Sequence, residues 1–481
     1  MWTSLIIVAH IIVIIGVCVR VIMMRLPVGT ALAWIVLIFF LPFAGAVIYL
    51  VLGEKRLGRK RTRRAASLWG RYSRWLRELP RQAPGDRSGL SPESLAVSRL
   101  PEGALGIPVL PGNRWEIMDA AEPILRSIIA DIDQARNFCH MEFYIWNEGG
   151  TADEVCEALI RAATRGVTCR VLLDAMGSGK FLKSPWASRL RESGVEMAVA
   201  LSVSPVRMLF VRFDLRLHRK IVVIDDEIAY TGSFNLVDPR FFKQDAGVGQ
   251  WVDGMARIQG PAVLPLNALF MWDWEVETGR DLEALPDPAK IGIDANPGVT
   301  ANVQVVPSGP GRAGDSVHQL LLMSIYAARK ELSMTTPYFV PDEAITSALL
   351  AAARRGVAVT LILPEKNDSR LVHYTCRSHF DELLEAGVRI FGFKGGLLHT
   401  KSAVVDGEIS LFGTVNLDIR SFWLDFEVTL CVFDSQFAER LLALQQKYIE
   451  DSVEIDPDAW RRRSTTERFL ENLARLCSPL L

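Results

Sequence analysis

The chain begins with two long runs of apolar residues. Residues 5–24 are interrupted only by His10 and Arg20, and residues 30–52 contain no charged residue. Each run is long enough to cross a lipid bilayer as a helix. A cleaved signal peptide fits less well, because basic residues follow the first run instead of preceding it and no A-x-A-like site comes next. The pattern predicts a hairpin of two transmembrane helices over residues 1–53.

A basic segment and a second helical pattern follow the hairpin. Residues 53–64 contain seven lysines and arginines, which predicts that this flank and the body of the protein lie on the cytoplasmic side. Residues 66–80 place tryptophan, tyrosine and leucine along one helical stripe, with arginines largely opposite. This stripe suits either a helix in the lipid headgroup layer or a helix packed on the protein body. The composition of residues 82–103 indicates a linker, and we assign residues 54–104 to this basic helix and linker.

The rest of the chain repeats one pattern of strands and helices twice. Short apolar runs alternate with helical stretches that end at glycine, first from residue 139 onwards and again from residue 333. This alternation favours an α/β fold in which helices cover the faces of a mixed β-sheet. We therefore predict two pseudo-symmetric domains at residues 105–285 and 300–455, and a C-terminal helix within residues 456–481. That helix would dock through an apolar stripe formed by Phe469, Leu470, Leu473 and Leu476.

Composition narrows the function classes. The chain has 481 residues, of which 49% are hydrophobic, so it can bury the cores of two ordinary domains. Its net charge of −1 does not indicate the broad basic surface of a nucleic-acid-binding protein. The seven cysteines include no C-x-x-C pair, which argues against a zinc site or a disulfide framework and favours buried thiols in a reducing compartment.

A polar motif, H-x-K-x4-D-x6-G-[S/T]-x-N, occurs once in each half. The apolar run after each histidine predicts a strand, so the histidine and the lysine project from the same face. A turn at the aspartate would return the chain and bring the hydroxyl and the amide to the same sheet edge. The first copy consists of His218, Lys220, Asp225, Gly232, Ser233 and Asn235, and the second of His399, Lys401, Asp406, Gly413, Thr414 and Asn416.

The residue types in the motif point to phosphate chemistry. A lysine beside the histidine would repel a cation, and no Cys or His stands at a ligand spacing, so we expect neither a metal nor another cofactor. Lysines, hydroxyls and amides suit an anion, and phosphate is the leading candidate. One histidine cannot conveniently attack phosphorus and also protonate the leaving oxygen from the opposite side, but two histidines on facing domains can. We predict one composite site, and the choice of the attacking histidine stays open.

Two acidic residues are candidates to orient the histidines. Glu427 follows His399 by 28 positions, and Asp253 follows His218 by 35 positions. A carboxylate bound to the far ring nitrogen would fix the tautomer and stabilise the imidazolium. The spacing pairs each acid with the histidine of its own half, and a solvated strand end is the alternative.

The duplicated motif resembles that of the phospholipase D superfamily. The hairpin with its following GEKR and the phrases GSFNLVDPRFFKQDAGVGQWVD, TTPYFVPDEA and GTVNLDIRSF are similar to bacterial cardiolipin synthases. The resemblance implies two phospholipase D-like domains and transfer of a phosphatidyl group between two phosphatidylglycerol molecules, giving cardiolipin and glycerol without nucleotide or metal. It also implies that His218 is the nucleophile and His399 the acid and base. Thr414 replaces the commoner serine of the family but keeps its hydroxyl.

Several arginines near the motifs are candidates for contact with lipid phosphates. Arg240 and Arg420 follow the motif asparagines by five and four positions. Arg207, Arg212 and Arg216 lie in an apolar segment just before the first motif. That segment would either contact acyl chains and phosphates or form a solvated basic loop.

Other functions are compatible with parts of the pattern. A membrane-bound phospholipase D would release phosphatidic acid instead of making cardiolipin. The apolar runs and the lack of a broad basic surface disfavour a nuclease, and the intact second motif disfavours an inactive scaffold. The expected partners are phosphatidylglycerol, cardiolipin and the bacterial plasma membrane, crossed by both spans, and no nucleic acid is expected. Homo-oligomerisation and the preferred acyl chains stay open.

Overall fold

The computed structural model of the chain describes residues 2–24, 26, 28–41, 43–82, 89–202, 211–282, 284–288, 301–311 and 315–478. The chain divides into two units. The smaller unit comprises Met1–Arg63 and Val203–Leu215, and the larger comprises Arg64–Ser202 and Arg216–Leu481.

Three apolar helices form most of the smaller unit: α1 (Trp2–Met23), α2 (Val28–Phe40) and α3 (Ala44–Leu52). The second predicted span is therefore not one continuous helix. Proline at position 42 cannot donate a backbone hydrogen bond and disfavours a helical conformation of the residue before it, and Phe43 has a positive φ of 56°. Among the residues that the structure describes, no helix combines the length and the apolar character needed to cross a membrane. The structure does not confirm the predicted transmembrane hairpin.

A small core and one ion-pair cluster hold these helices together. Val21, Ile38 and Tyr49 are buried against one another. Arg20 of α1 pairs with the carboxylate of Glu54, which also accepts a hydrogen bond of 3.0 Å from the hydroxyl of Tyr49. The side chains of Arg20, Tyr49 and Glu54 thus satisfy one another's hydrogen-bonding groups.

Helix α4 (Arg59–Gln82) carries the aromatic stripe predicted from residues 66–80, and this stripe packs within the larger unit, to which these residues belong. The hydroxyl of Tyr72 donates to Glu275 at 3.0 Å, and the indole nitrogen of Trp75 donates to the carbonyl of Pro286 at 2.7 Å. Of the two interpretations of the stripe, packing on the protein body is confirmed.

The predicted linker is partly helical. Residues 92–105 form α5 (Pro92–Leu105), whose Val97 is buried in the core of the second half. The hydroxyl of Ser91 caps this helix by accepting from the Ser94 backbone N–H at 3.2 Å, and Pro92 is tolerated at the first helical position. The linker prediction is therefore wrong for these residues, because the cap at Ser91 starts a helix that composition alone does not reveal. Residues 83–88 lie outside the described residues.

The first half of the larger unit follows the predicted alternation of strands and helices. Its strands are β1 (Leu110–Met118), β2 (Phe138–Phe143), β3 (Thr168–Asp174), β4 (Glu196–Ala200), β5 (Arg216–Leu217), β6 (Lys220–Ile224), β7 (Ile228–Gly232), β8 (Trp251–Val252) and β9 (Met255–Gln259). Its helices are α6 (Ala121–Gln134), α7 (Thr151–Thr164), α8 (Pro185–Glu192) and α9 (Val263–Thr278).

The second half repeats this order. Its strands are β10 (Ala301–Ser308), β11 (Glu331–Thr335), β12 (Phe339–Val340), β13 (Ala358–Pro364), β14 (Arg389–Phe393), β15 (Leu397–Leu398), β16 (Ser402–Val405), β17 (Ile409–Gly413), β18 (Leu417–Asp418), β19 (Asp425–Phe433) and β20 (Ser452–Glu454). Its helices are α10 (Ser316–Ala327), α11 (Glu343–Arg354), α12 (Arg370–Arg377), α13 (Phe380–Glu385), α14 (Ile419–Trp423), α15 (Ser435–Glu450), α16 (Pro457–Arg461) and α17 (Thr465–Arg475).

Within the described residues, the two halves share one 16-stranded mixed sheet. Its order is β20-β14-β13-β11-β16-β17-β19-β10-β1-β9-β7-β6-β2-β3-β4, with β5 paired to β19. The strands β1 and β10 pair antiparallel at the centre, so the corresponding strands of the two halves lie at mirrored positions in the order. The predicted α/β fold, with a mixed sheet flanked by helices, is confirmed, and the continuous sheet is an addition to that prediction.

Alternation along the strands builds the cores on both faces of the sheet. In β6, Val222 and Ile224 pack with α6 and α7, whereas Ile221 and Val223 pack on the face covered by α9 and α15. Since α9 belongs to the first half and α15 to the second, the latter core is shared by both halves.

The C-terminal helix α17 forms as predicted, but its orientation is reversed. Phe469, Leu470, Leu473 and Leu476, which were expected to dock, are exposed, whereas Glu471 is fully buried. The carboxylate of Glu471 accepts from Arg377 of α12 at 2.8 Å. The docking interface is therefore ionic, which an apolar periodicity cannot reveal.

Candidate active site

Each motif histidine stands at the start of a central strand and is anchored by the opposite half. His218 follows β5, which pairs in parallel with β19, and its backbone N–H donates to the carbonyl of Phe426 at 2.9 Å. His399 follows β15, which pairs in parallel with β8, and its N–H donates to the carbonyl of Val252 at 2.7 Å. The main chain of one half therefore positions the histidine of the other.

The orienting carboxylates are exchanged in the same way. The Nδ1 atom of His218 lies 2.8 Å from Oε2 of Glu427, and Nδ1 of His399 lies 2.6 Å from Oδ1 of Asp253. The predicted pairing within each half is wrong. Because β19 and β8 lie beside the histidine-bearing segment of the other half, the nearest acid in space comes from that half.

Burial keeps both imidazoles neutral near pH 7. It lowers the pKa of His399 to about 3, and burial together with the nearby lysine charges holds the pKa of His218 well below its usual range. An ionised carboxylate can only accept, so beside an ionised acid Nδ1 of the ring carries the proton and Nε2 keeps a lone pair. Each histidine is thus prepared to attack or to take a proton.

The two carboxylates differ in their electrostatic surroundings. Burial raises the pKa of Glu427 to about 7, although the charge of Lys220 opposes this shift. Burial also acts to raise the pKa of Asp253, but its contacts with His399 and the charge of Lys401 outweigh that effect and lower the pKa. The site is therefore asymmetric, with the stronger negative charge beside His399.

The motif lysines are fully sequestered. Lys220 donates from Nζ to the carbonyl of His218 at 2.6 Å, and Lys401 donates to the carbonyl of His399, also at 2.6 Å. Burial lowers the pKa of Lys220 to about 8 and that of Lys401 to about 7. Both lysines fix the backbone of their histidine and carry a positive charge that an anion in the site would favour.

Both histidines line one cavity of about 350 Å³. Its walls combine aromatic, amide, cationic and carboxylate side chains. The lining residues are Tyr144, Ile145, Arg216, His218, Asn235, Lys243, Trp251, Tyr338, Val340, Val372, His399, Asn416, Asp418, Arg420 and Asp425. The cavity is large enough for a phosphodiester headgroup and small polar alcohols.

The motif asparagines line this cavity, whereas the motif hydroxyls do not. Asn235 accepts from the Ile145 N–H at 3.1 Å, and its buried Nδ2 has no partner among the described residues. Ser233 donates to Asp253 at 2.6 Å, and Thr414 accepts from the Val428 N–H at 2.9 Å. The hydroxyls therefore hold the acid-bearing segments, which corrects their predicted role in substrate binding.

Asn416 mirrors Asn235 in the second half. It lines the cavity, and its buried Oδ1 has no partner among the described residues. Rotation of the amide exchanges its donor and acceptor, so either group can meet a ligand. Each asparagine thus presents an amide atom to the cavity.

The motif aspartates lie far from the cavity. Asp225 and Asp406 occupy left-handed turns, with φ of 54° and 53°, at the opposite end of β6 and β16. A strand of five residues spans about 16 Å. Each carboxylate accepts three backbone N–H bonds, Asp225 from Arg136, Asn137 and Phe138, and Asp406 from Arg329, Lys330 and Glu331. These bonds give both aspartates a structural role at turns beside β2 and β11, and the structure does not support their predicted catalytic role.

The motif glycines are required by close strand packing. A Cβ atom on Gly232 would lie 2.5 Å from the carbonyl oxygen of Gly254, and one on Gly413 would lie 2.3 Å from that of Val428. Both contacts are shorter than any real Cβ contact, and the obstacle is backbone. These glycines allow the acid-bearing strands to approach the motif.

The predicted arginines separate into two groups. Arg420 lines the cavity and donates to Asp425 at 3.3 Å, and Arg216 lines it as well. Arg240 is 56% exposed and donates to Asp238 at 2.9 Å, so it is not one of the cavity residues. Arg212 belongs to the smaller unit, where it pairs with Asp214 at 2.6 Å. Arg207 lies outside the described residues.

Several residues that the sequence analysis did not select contribute to the site. The ring of Tyr144 lies 4.9 Å from that of His218, and the ring of Trp251 lies 4.3 Å from that of His399. Arg219, between the motif histidine and lysine, donates to the carbonyl of Glu427 at 2.9 Å. The residue of the second half that corresponds to Trp251 is Asp425, two positions before Glu427, so the repeat gives no signal for Trp251, and nothing in the sequence marks the contact of Arg219.

Among the described residues, no group of three or more His, Cys, Asp or Glu side chains is arranged to hold a metal ion. The cavity instead combines two imidazoles, two amides and nearby cationic side chains. This set of groups suits an anion with several oxygens.

Comparisons with known proteins agree with this geometry. A family described as "Cardiolipin synthase, PLD-like domain" matches residues 128–255 and 321–448, and a family described as "Phospholipase_D-nuclease N-terminal" matches residues 11–54. Cardiolipin synthase A of Cronobacter sakazakii is 46% identical over 478 residues, covering 99% of this chain and 98% of that protein. Cardiolipin synthase A of Salmonella paratyphi B is similar to the same extent.

A solved structure supports the fold. The phosphatidylserine synthase of Haemophilus influenzae aligns with a TM-score of 0.59 at 15% identity, covering 80% of this chain and all of that chain. Together with the two family matches and the full-length relatives, it leads to one assignment. The chain belongs to the family of phospholipase D-like cardiolipin synthases.

Proposed function

We propose that this chain is a cardiolipin synthase that transfers a phosphatidyl group from one phosphatidylglycerol to the hydroxyl of another, giving cardiolipin and glycerol. The observation that carries the proposal is one cavity with two neutral histidines, each bound to a carboxylate from the opposite half. The similarity to cardiolipin synthase A over 99% of the chain supports the same reaction.

The first step forms a covalent intermediate. Nε2 of His218 attacks the phosphorus of the first phosphatidylglycerol, and the bond from phosphorus to the glycerol oxygen breaks. His399, which takes up a proton from solvent when the anionic phosphate binds, gives this proton to that oxygen, and glycerol leaves. Asp253 favours this role, since its negative charge stabilises an imidazolium on His399 once an anionic phosphate is bound.

The second step reverses these roles. His399 takes a proton from the hydroxyl of the second phosphatidylglycerol, whose oxygen attacks phosphorus as the bond to His218 breaks. The lysine charges, Arg420 and the amide of Asn235 stabilise the phosphate oxygens in both steps. The reaction needs no nucleotide as an energy source, because the phosphohistidine conserves the free energy of the broken phosphodiester bond.

We also propose that the N-terminal helices insert into the bacterial plasma membrane as the hairpin that the sequence predicts, with the larger unit on the cytoplasmic side. Large apolar side chains of α1 and α2 are exposed, such as Ile12, Ile22 and Phe40. The basic segment after α3 supports the orientation. Resistance of the chain to alkaline extraction, and proteolysis of the larger unit only from the cytoplasmic face of vesicles, would be the expected results.

The reaction is tested with full-length protein in detergent and phosphatidylglycerol as the sole lipid. Cardiolipin with an equal amount of glycerol is the expected product, whereas phosphatidic acid would identify a hydrolase and overturn the proposal. With lipid labelled in the phosphatidyl group, His399→Ala should trap label on the protein and His218→Ala should not. The opposite pattern would exchange the two roles.

A further inference from the structure

Helix α17 presents its apolar side chains to solvent and its acidic side chain to the protein. Phe469, Leu473 and Leu476 are 64%, 50% and 77% exposed, whereas Glu471 is fully buried and Ala474 nearly so. A helix at a protein surface normally shows the opposite arrangement. A reversed helix therefore leaves an apolar surface that the described residues do not cover.

Specific contacts fix this reversed orientation. Glu471 accepts hydrogen bonds of 2.8 Å from Arg377 and 2.9 Å from Arg463. The hydroxyl of Thr375 on α12 donates to the carbonyl of Ala474 at 3.1 Å. Turning the apolar side inward would separate the fully buried carboxylate of Glu471 from Arg377 and Arg463, so the outward stripe is built into the fold.

The neighbouring helix α12 extends the exposed stripe. Leu371 is 40% exposed, and α12 packs along α17. We call this surface, formed by Leu371, Phe469, Leu470, Leu473 and Leu476, the α17 face. Contiguous apolar surfaces of this kind mark sites that bind a partner or a membrane.

Exposed arginines flank the α17 face, and two arginines of this region are paired with acids, Arg475 with Glu382 at 3.2 Å and Arg463 with Asp381 at 2.8 Å. Residues 461–478 contain five arginines and two glutamates, and Glu471 is one of those glutamates. Arg468 and Arg475 are exposed on the helix itself, and Arg370 is exposed at the start of α12. An apolar stripe flanked by arginines is the pattern of a helix that lies on an anionic lipid surface.

The α17 face also adjoins the cavity. Val372 lines the cavity, and the adjacent Leu371 belongs to the α17 face. Helix α12 therefore contacts both the cavity, through Val372, and helix α17, through Thr375.

We propose that the α17 face rests on the anionic leaflet of a membrane and that it brings lipid headgroups to the mouth of the cavity. The docking itself stands on the geometry of α17, and only the delivery of substrate rests on the proposed function. A second copy of this chain is a poorer occupant, because a twofold contact through this face would oppose arginines to arginines.

The test uses the full-length protein and the variant Phe469→Gln/Leu473→Gln. Transfer is measured on phosphatidylglycerol in proteoliposomes and on the same lipid in detergent micelles. We expect the transfer rate of the variant to fall about tenfold or more in proteoliposomes, because two apolar side chains are no longer buried in lipid. In micelles its transfer rate should stay within about twofold of the wild type. The control Tyr326→Gln removes another half-exposed aromatic side chain on α10 and should match the wild type in both assays.

Hydrogen exchange of residues 465–478 provides an independent measurement of docking. Exchange should slow in phosphatidylglycerol proteoliposomes relative to detergent, and less so in phosphatidylcholine. Equal losses in micelles and vesicles, or equal exchange in all three, would overturn the proposal. Protection that grows with protein concentration in detergent would identify self-association instead. If the wild type made no cardiolipin in either assay, the proposed function would fail, and slowed exchange in vesicles would still support docking.

Discussion

Replacing Asp225 with alanine should weaken the fold and leave the chemistry of the cavity unchanged. The motif makes this residue look catalytic, yet its carboxylate accepts backbone N–H bonds of 2.7 Å from Arg136 and 2.8 Å from Asn137 and Phe138. A hydrogen bond to a charged acceptor contributes about 1.5–3 kcal/mol, and partial exposure reduces this to about 1 kcal/mol for each bond. Left-handed backbone at a non-glycine residue costs alanine about 1 kcal/mol more.

The expected loss is therefore about 3–4 kcal/mol of the free energy of unfolding for Asp225→Ala. Asp225→Asn should lose about half as much, because asparagine tolerates the left-handed conformation and keeps the Oδ1 acceptor for Asn137 and Phe138. Asp406→Ala is the matched variant of the second half. The measurements are thermal unfolding in detergent and cardiolipin formation per folded molecule at a temperature well below the midpoint.

The two readouts separate a structural from a catalytic role. We expect a lower unfolding midpoint in both alanine variants and turnover within about twofold of the wild type. A variant with an unchanged midpoint and turnover reduced about a hundredfold would show that the charge of Asp225 acts on the reaction, and the structural account of the motif aspartate would be refuted.

Three further predictions concern the cavity. Glu427→Gln should slow labelling of His218 about a hundredfold in single-turnover experiments, because glutamine keeps the tautomer but cannot stabilise the imidazolium. Normal labelling of His218 with slowed deprotonation of the acceptor hydroxyl would instead indicate that Glu427 acts on His399 of its own half. Arg420→Ala should raise KM for phosphatidylglycerol about tenfold, whereas Arg240→Ala should leave KM within about twofold; equal effects would contradict the placement of these arginines. Lys401→Met should unfold at a higher temperature than the wild type below pH 7, and this advantage should shrink as the pH rises from about 7 towards 10. Over that pH window Lys401 of the wild type is neutral in the folded state and charged in the unfolded state. A difference in unfolding temperature that does not change with pH would refute the lowered pKa of Lys401.

Much of the fold follows from local patterns in the sequence. The strands after the histidines are apolar runs of four or five residues, and the helices around them end at glycine, so element type and order were predictable. Composition does not predict helix α5, because its proline and serine residues are typical of a linker, although Ser91 is a capping residue. Apolar character alone does not predict the break between α2 and α3, which the proline at position 42 indicates.

The composition of the motif was informative, but the position of each residue along its strand decides its role. His218 and Asn235 stand at the strand ends that meet the cavity, whereas Asp225 stands at the far turn. A motif written as one line of letters joins residues from both ends of a strand. Only the strand length separates those that can meet a phosphate from those that fix a turn.

The crossed carboxylates explain why the duplication is needed. Each histidine receives both its backbone anchor and its acid from the other half, His218 from Phe426 and Glu427, and His399 from Val252 and Asp253. One half alone therefore holds a histidine without its carboxylate, and a carboxylate without its histidine. Spacing along the chain cannot predict this exchange, because it results from pairing between segments about 150 to 210 residues apart. The same exchange lets the two acids differ, since Glu427 and Asp253 lie in different surroundings, and this difference supports the different roles that we propose for the two histidines.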